Sequence, residues 1–224
     1  VDIPFLLNFL EINFFSSIFV LLCFLFIING ANLIDGFNGL LAINLIIINL
    51  ILFFINITSG NNEFLIFLIA QIIILLSFLL FNFPNAKIFL GDSGSYVMGS
   101  LVALNTIITN NLNSNYSSFF FCTLLFYLFF EVFFSFFRKI IQNKSPLHPD
   151  NKHLHMLIYK KVSSVFGKDK GNYINSIIIN FVYFLLVLPS LIFAKDPVVT
   201  RYWFFSLIAI YVFIYLRLYR LTKN

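Results

Sequence analysis

Asparagine and aspartate recur at three-residue intervals along Asn29-Gly30-Ala31-Asn32-Leu33-Ile34-Asp35-Gly36-Phe37-Asn38-Gly39-Leu40. Residues three apart share one face of a helical turn, so Asn32 can stand beside Asp35, with Asn38 next in the series. Side-chain oxygens of Asn and Asp are hard donors of the kind Mg²⁺ takes. Gly30, Gly36 and Gly39 let the backbone bend and a ligand come close. The same residues also read as a polar turn that breaks a helix at a membrane surface, and both readings stand at this point.

A second stretch has similar chemistry: Asn82-Phe83-Pro84-Asn85-Ala86-Lys87-Ile88-Phe89-Leu90-Gly91-Asp92-Ser93-Gly94-Ser95. Asp92 precedes an apolar run and can cap the helix there. It can equally be a metal-bound carboxylate beside a phosphate, with backbone N–H groups and the positive helix end helping to hold anions. Lys87 supplies a mobile cation suited to phosphate.

All three histidines of the chain fall within eight residues, at His148, His153 and His155 of the stretch from Ser145 to His155. His153 and His155 can donate to phosphate and sugar oxygens or bind a metal. Zinc is the weaker alternative, because no suitable fourth ligand lies nearby in sequence. A solvated loop is the plain one. Upstream, Glu131 sits about two helical turns inside an apolar run that ends near Arg138. A carboxylate there needs a partner or a polar cavity, so it is either paired with a Lys or Arg or takes part in chemistry.

The elements that must position these groups are spanning helices. The 224 residues are 60% hydrophobic and 10% charged, with a mean hydropathy of +0.96. So few charges cannot cover the surface of a soluble domain, and the surface must face lipid. Seven apolar runs read as spans, at about 9–28, 40–57, 64–83, 95–110, 117–137, 173–194 and 202–219. They are too long and uniform for barrel strands, so the expected fold is all-α, a multi-spanning membrane helix bundle over one domain of residues 1–224. One long connection, 138–172, is expected as a cytoplasmic loop carrying the histidines.

Lysine and arginine orient the spans. With the end of the first helix on the cytoplasmic side, that side takes Lys87, Arg138, Lys139, Lys144, Lys152, Lys160, Lys161, Lys168, Lys170, Arg217, Arg220 and Lys223, which is 12 of the 14 basic residues. Lys195 and Arg201 remain opposite. This asymmetry sets the topology and puts the three polar stretches on one cytoplasmic face. It also accounts for the net charge of +5 without any nucleic-acid partner. Thr58 to Glu63 and Asn110 to Tyr116 read as plain external turns. Cys23 and Cys122 lie in apolar runs and read as small hydrophobes. The chain starts at Val1 and shows no signal peptide, so a preceding portion is expected.

Together the motifs resemble the polyprenyl-phosphate N-acetylhexosamine-1-phosphate transferases, the MraY/WecA-like glycosyltransferase family 4. Asn29 to Leu40 is similar to the family's N-x-x-N-x-x-D-G-x-D/N-G-L motif, and Pro84 to Ser95 to its P-A-K-x-F-x-G-D-x-G-S motif, with Asn85 inserted after the proline. The segment from Glu131 through Arg138 to Ser145-Pro146-Leu147-His148-Pro149-Asp150 and His153-Leu154-His155 resembles the WecA-like form of the last cytoplasmic loop. The muramoyl-pentapeptide branch has consecutive histidines there, and this chain has none.

The resemblance implies a plasma (inner) membrane enzyme with a cytoplasmic site. It would move N-acetylhexosamine-1-phosphate from a UDP-N-acetylhexosamine to undecaprenyl phosphate, a polyprenyl phosphate lipid, releasing UMP and starting a cell-surface polymer. It implies Mg²⁺, with Mn²⁺ as an alternative, held by Asp92 with Asn32. Asp92, His153 and His155 would be catalytic. Asn38, Asp35 and Asn29 would meet the uridine, and Lys87 the phosphate, while Glu131 and Arg138 stay unassigned. A homodimer is an open option. The family carries an acidic pair in an earlier loop and about ten or eleven spans. About four helices and that pair are therefore expected before Val1, and the 224 residues alone are not expected to turn over substrate. Two rivals are an ion path through Asp35, Asp92 and Glu131, and a non-catalytic truncated scaffold.

Overall fold

The computed structural model describes residues 9–57, 60–146, 148 and 150–223. Pro149 of the third motif and Thr58 of the first external turn lie outside the described residues. Regular structure among the described residues is all α-helical: α1 Asn13–Ile34, α2 Leu40–Asn56, α3 Asn62–Asn82, α4 Gly91–Leu112, α5 Ser118–Leu124, α6 Phe126–Ile141, α7 Leu154–Phe166, α8 Lys168–Ile192 and α9 Pro197–Lys223.

By length and composition α1, α3, α8 and α9 can each cross a membrane, and α5 with α6 makes a fifth candidate bent by 76°. This is a membrane protein. α2 has only 17 residues, and α4 spends part of its length on Asn and Thr. α2 forms the middle of the bundle, and α4 lines it with Asn105, Thr106 and Thr109 while Val97, Leu104 and Ile107 face outward. Leu40, Leu41, Leu45, Ile48 and Leu52 of α2 are fully buried, whereas Phe14 and Leu21 of α1 and Ile66, Ile74 and Leu80 of α3 face outward. An apolar outer face and a polar middle suit a bundle in lipid, where side-chain hydrogen bonds and close packing join the helices.

The polar middle is a ladder of amides. Asn105 Nδ2 donates to Asn49 Oδ1 at 3.0 Å and to Gln71 Oε1 at 2.8 Å, tying α4 to α2 and α3. Lower down, Asn56 Nδ2 meets Thr109 Oγ1 at 2.8 Å, and Asn113 Nδ2 meets Asn56 Oδ1 at 3.0 Å. Such groups carry a penalty of several kcal/mol if left unpaired in hydrocarbon, and these pairings avoid most of it, with Asn49 Nδ2 left unpaired.

Four corrections to the sequence reading follow. The first motif is not a helix break at Asn29, because α1 continues through Asn29 and Asn32 to Ile34. The fifth apolar run splits at Leu125, where the freed Leu124 carbonyl accepts the Tyr183 hydroxyl at 2.5 Å. The stretch 138–172 is not a loop throughout. α6 runs to Ile141, α7 occupies Leu154–Phe166, and only Gly167 separates α7 from α8. A Cβ on Gly171 would lie 2.8 Å from Ser163 Cα, so α7 and α8 meet backbone against backbone. Finally, the ends of the runs extend, so that the sixth begins at Lys168 and the seventh at Pro197.

Contacts sort the connections into two ends. At one end, Asn113 of the α4–α5 turn bonds Asn56 at the close of α2, and Ser117 N donates to Ala194 O at 2.9 Å. The other end gathers the three motifs.

Candidate active site

Asp92 lies in the first turn of α4, and Asn32 in the last turn of α1. Asn32 Nδ2 donates to Asp92 Oδ1 at 2.8 Å and to Ser95 Oγ at 3.0 Å, and the Ser95 hydroxyl in turn donates to Asp92 O at 3.1 Å. α1 and α4 can bring these groups together because they approach closely. A Cβ at Gly99 would sit 2.7 Å from the Ala31 Cβ. Asp92 itself is exposed and Ser95 buried.

Asp35, the C-cap of α1, belongs to the same group. Burial, then the charge of Asp92, push its carboxyl up to about 7, and a hydrogen bond from the Gly91 backbone draws it partly back. Two facing carboxylates disfavour ionising together, and a cation between them removes the conflict. Asp92, Asp35 and Asn32 thus offer hard oxygen donors beside the N-terminal end of a helix.

Asn38 ties the first motif to the second. Its side chain donates to Pro84 O at 2.7 Å, and its backbone N–H donates to Asn172 Oδ1 at 2.8 Å. Next to it, Gly39 starts α2 in the left-handed region at φ 76°, which favours glycine, and gives its N–H to Asn82 Oδ1 at 2.7 Å. Lys87 is exposed on the same connection, with its backbone N–H bonded to Phe81 O at 2.8 Å. Asn29 is not drawn in, since its Nδ2 bonds Leu25 O one turn back in its own helix at 2.7 Å.

The histidines form a second group. His153 is the residue before α7, and its Nδ1 lies 3.2 Å from Glu131 Oε1. The same oxygen accepts the Leu154 backbone N–H at 3.0 Å, and Oε2 accepts the Tyr211 hydroxyl at 2.8 Å. The His153 and His155 rings stack in parallel with centroids 5.4 Å apart. His155 Nδ1 lies 3.4 Å from the Tyr127 hydroxyl. Burial holds the His155 imidazole down at about 4, helped by His153 and opposed by Glu131. Phe37, two residues after Asp35, meets the His155 ring edge-on at 5.8 Å and so links the two groups.

Glu131 therefore does have a partner, though it is not the expected Lys or Arg. Arg138 instead makes a two-pronged contact with Asp150, at 2.8 and 3.0 Å, and reaches Ser135 at 3.0 Å. These bonds outweigh the effect of partial burial and hold the Asp150 carboxyl down at about 2. His148 does not join the pair. It is exposed, and its backbone oxygen accepts Lys139 Nζ at 2.7 Å. Among the described residues no cluster of three or more His, Cys, Asp or Glu could hold a metal, which leaves the zinc alternative without a site.

Ser95, Asn82, Asn172, Tyr127 and Tyr211 also belong to these groups, and the residue types alone did not single them out. A signal existed for Tyr211. It recurs at four-residue spacing with Tyr215 and Tyr219 on an otherwise apolar helix.

Residues 1–110 match a family described as Glycosyl transferase family 4. The chain is 28% identical over 160 residues to the undecaprenyl-phosphate alpha-N-acetylglucosaminyl 1-phosphate transferase of Thermotoga maritima, covering 68% of this chain and 48% of that protein. It is 31% identical over 159 residues to the probable undecaprenyl-phosphate N-acetylglucosaminyl 1-phosphate transferase of Bacillus subtilis, covering 69% and 43%. A phospho-N-acetylmuramoyl-pentapeptide-transferase of Clostridium perfringens is 34% identical over 108 residues, covering 48% and 34%. The chain spans about half the length of the first of these relatives and less of the others. With the motifs of that family gathered at one end of the bundle, the chain belongs to glycosyl transferase family 4.

Proposed function

We propose that the protein transfers N-acetylhexosamine-1-phosphate from a UDP-N-acetylhexosamine to undecaprenyl phosphate and releases UMP. An oxygen of the lipid phosphate forms the new bond to the sugar-bearing phosphorus, and the anhydride bond to UMP breaks. The observation that carries this reading is the 2.8 Å contact between Asn32 and Asp92, made at the bundle end where His153 and Glu131 also meet. The two of these relatives that align over more than two thirds of this chain are named as N-acetylglucosaminyl 1-phosphate transferases, one of them as probable, which favours the WecA-like branch over the muramoyl-pentapeptide branch.

Phosphoryl transfer asks for charge neutralisation and alignment more than for covalent chemistry. Asp92, Asn32 and Asp35 fit Mg²⁺ in donor type and would be the residues to hold it. The ion supplies neutralisation of the pyrophosphate charge. His153, whose Nε2 lies 3.5 Å from Asp150 Oδ1, and His155 hold the sugar phosphate by hydrogen bonds and handle a proton. Asn38 orients the uridine side of the donor, and Lys87 stands at the open face for phosphate.

The site lies on the cytoplasmic face of the inner membrane in this reading. The basic residues support that orientation, since those of the α3–α4 connection and of 138–170 stand at the motif end, while Lys195 is at the other end. All of α1, α2, α3, α4, the α5–α6 pair, α8 and α9 then cross, seven passages with α2 shielded by the rest. An ion path is disfavoured, because Asp35 and Asp92 face each other at one end and Glu131 is fully engaged by His153, Leu154 and Tyr211.

The deciding experiment is Asp92→Asn in the full-length protein. UMP release should vanish while the protein still inserts into membranes. A wild-type rate in the variant removes the metal assignment and leaves the scaffold reading standing.

A further inference from the structure

The C-terminal helix α9 lies outside the region that matches the family model, yet it reaches into the histidine group. Tyr211, Tyr215 and Tyr219 recur every four residues and so stand on one face of α9. Their rings lie nearly parallel in a row, 6.4 Å apart at 7° and then 6.0 Å apart at 11°. Each meets one charged group of residues 131–152, within or just ahead of the stretch that carries the histidines. Tyr211 donates to Glu131 Oε2 at 2.8 Å. The Tyr215 ring lies 5.9 Å below the Arg138 guanidinium, and the Tyr219 ring 5.6 Å from Lys152 Nζ. These are distances at which an aromatic face attracts a cation.

We infer that α9 positions the histidine pair, and that Tyr211 acts on His153 through Glu131. Glu131 is only 1% exposed. A buried carboxylate must have its lone pairs met by donors. Leu154 N–H and His153 Nδ1 occupy Oε1, and Tyr211 is the donor at Oε2. Because a carboxylate only accepts, His153 presents Nδ1–H to it, and the other ring nitrogen, Nε2, is turned toward Asp150 Oδ1 at 3.5 Å. The chain of contacts is Tyr211 to Glu131 to His153, and it sets the direction in which Nε2 points. Arg138 and Lys152 flank the same stretch, so Tyr215 and Tyr219 hold it against α9 at two further points. Tyr211 touches neither substrate nor metal in this account. It is a positioning residue, as an outer partner of a working histidine usually is.

This inference rests on the transferase reading and on His153 taking part in it. The test is a double-mutant cycle on the full-length protein in membrane vesicles, with UDP-N-acetylglucosamine and undecaprenyl phosphate as probes and UMP release as the signal. Tyr211→Phe keeps the ring and removes only the hydroxyl. It should lower kcat about tenfold and leave KM for the nucleotide sugar within about twofold, the pattern of a group felt mainly in the transition state. In a His153→Ala background the same substitution should have no further effect, because nothing remains to be positioned. Glu131→Gln should behave alike and serves if Tyr211→Phe fails to insert. An equal loss of kcat in both backgrounds, or no loss in the wild-type background, overturns the inference and returns the tyrosine row to helix packing. A wild-type rate for His153→Ala alone overturns the reading beneath it instead.

Discussion

Asn32 gives its side-chain N–H to Asp92 across 60 residues of sequence, and the contact joins the last turn of one helix to the first turn of another. The donated hydrogen bond turns the Asn32 amide toward the carboxylate that a cation would share. Asn32→Ala should therefore raise the Mg²⁺ concentration needed for half-maximal UMP release by roughly tenfold, with the rate partly restored at high Mg²⁺. A titration curve identical to wild type would detach Asn32 from the metal.

His153→Ala should slow turnover by ~100-fold, as expected when a group that moves a proton or stabilises a transition state is lost. The measurement is the initial rate of UMP release at saturating substrates. An unchanged rate would make the histidines part of a solvated connection.

His155 gives a pH dependence of stability. Its imidazole titrates near 6.5 when exposed and is held at about 4 in the fold, mainly by burial. Between those values the unfolded chain binds more protons than the folded one, so stability falls as pH drops through that window. The full effect is on the order of 3 kcal/mol. Thermal unfolding in detergent between pH 7 and pH 4 should show a steeper loss for wild type than for His155→Phe. Parallel curves would mean that the ring is not held neutral.

Asp150 works in the opposite sense. Its pairing with Arg138 holds it at about 2, below the unfolded value, so the pair stabilises the fold at neutral pH and the contribution disappears as pH falls from about 4 through about 2. Asp150→Asn should cost about 1.5 to 3 kcal/mol at pH 7, the range for hydrogen bonds to a charged group, and only a small part of that at pH 2. A constant difference across that range would contradict the pairing.

The amide ladder can be tested away from the site. Asn105→Leu leaves Asn49 and Gln71 without their shared partner and should destabilise by roughly 1 to 2 kcal/mol. Adding Gln71→Leu should recover part of the loss, since two apolar groups leave less of the network stranded. A double variant less stable than the sum of the singles would refute the ladder.

Sequence spacing made Asn32 and Asp35 legible as a pair, and the basic-residue asymmetry with the family resemblance set Asp92 beside them, because Asn and Asp at helix ends in so apolar a chain have little else to do. His153 and His155 stood out by clustering. What stayed hidden depends on distant packing. Nothing near Glu131 in sequence names Tyr211, 80 residues away. The bend at Leu125 follows no Pro or Gly, and the Tyr183 hydroxyl that satisfies it comes from another helix. α7 was readable: Leu154, Leu157, Ile158 and Val162 follow a helical period, but the histidines beside them made the whole stretch look like a loop. Asn105 lay inside an apolar run, and only its partners on α2 and α3 give it meaning.

Gly167 is the single residue between α7 and α8, and Gly171 rests on Ser163 without room for a side chain. The short helix bearing His155 is thereby anchored at its far end to a long membrane-crossing rod. It cannot swing aside as a flap. Any tilt of α8 is transmitted to the His155 imidazole as a lever transmits it.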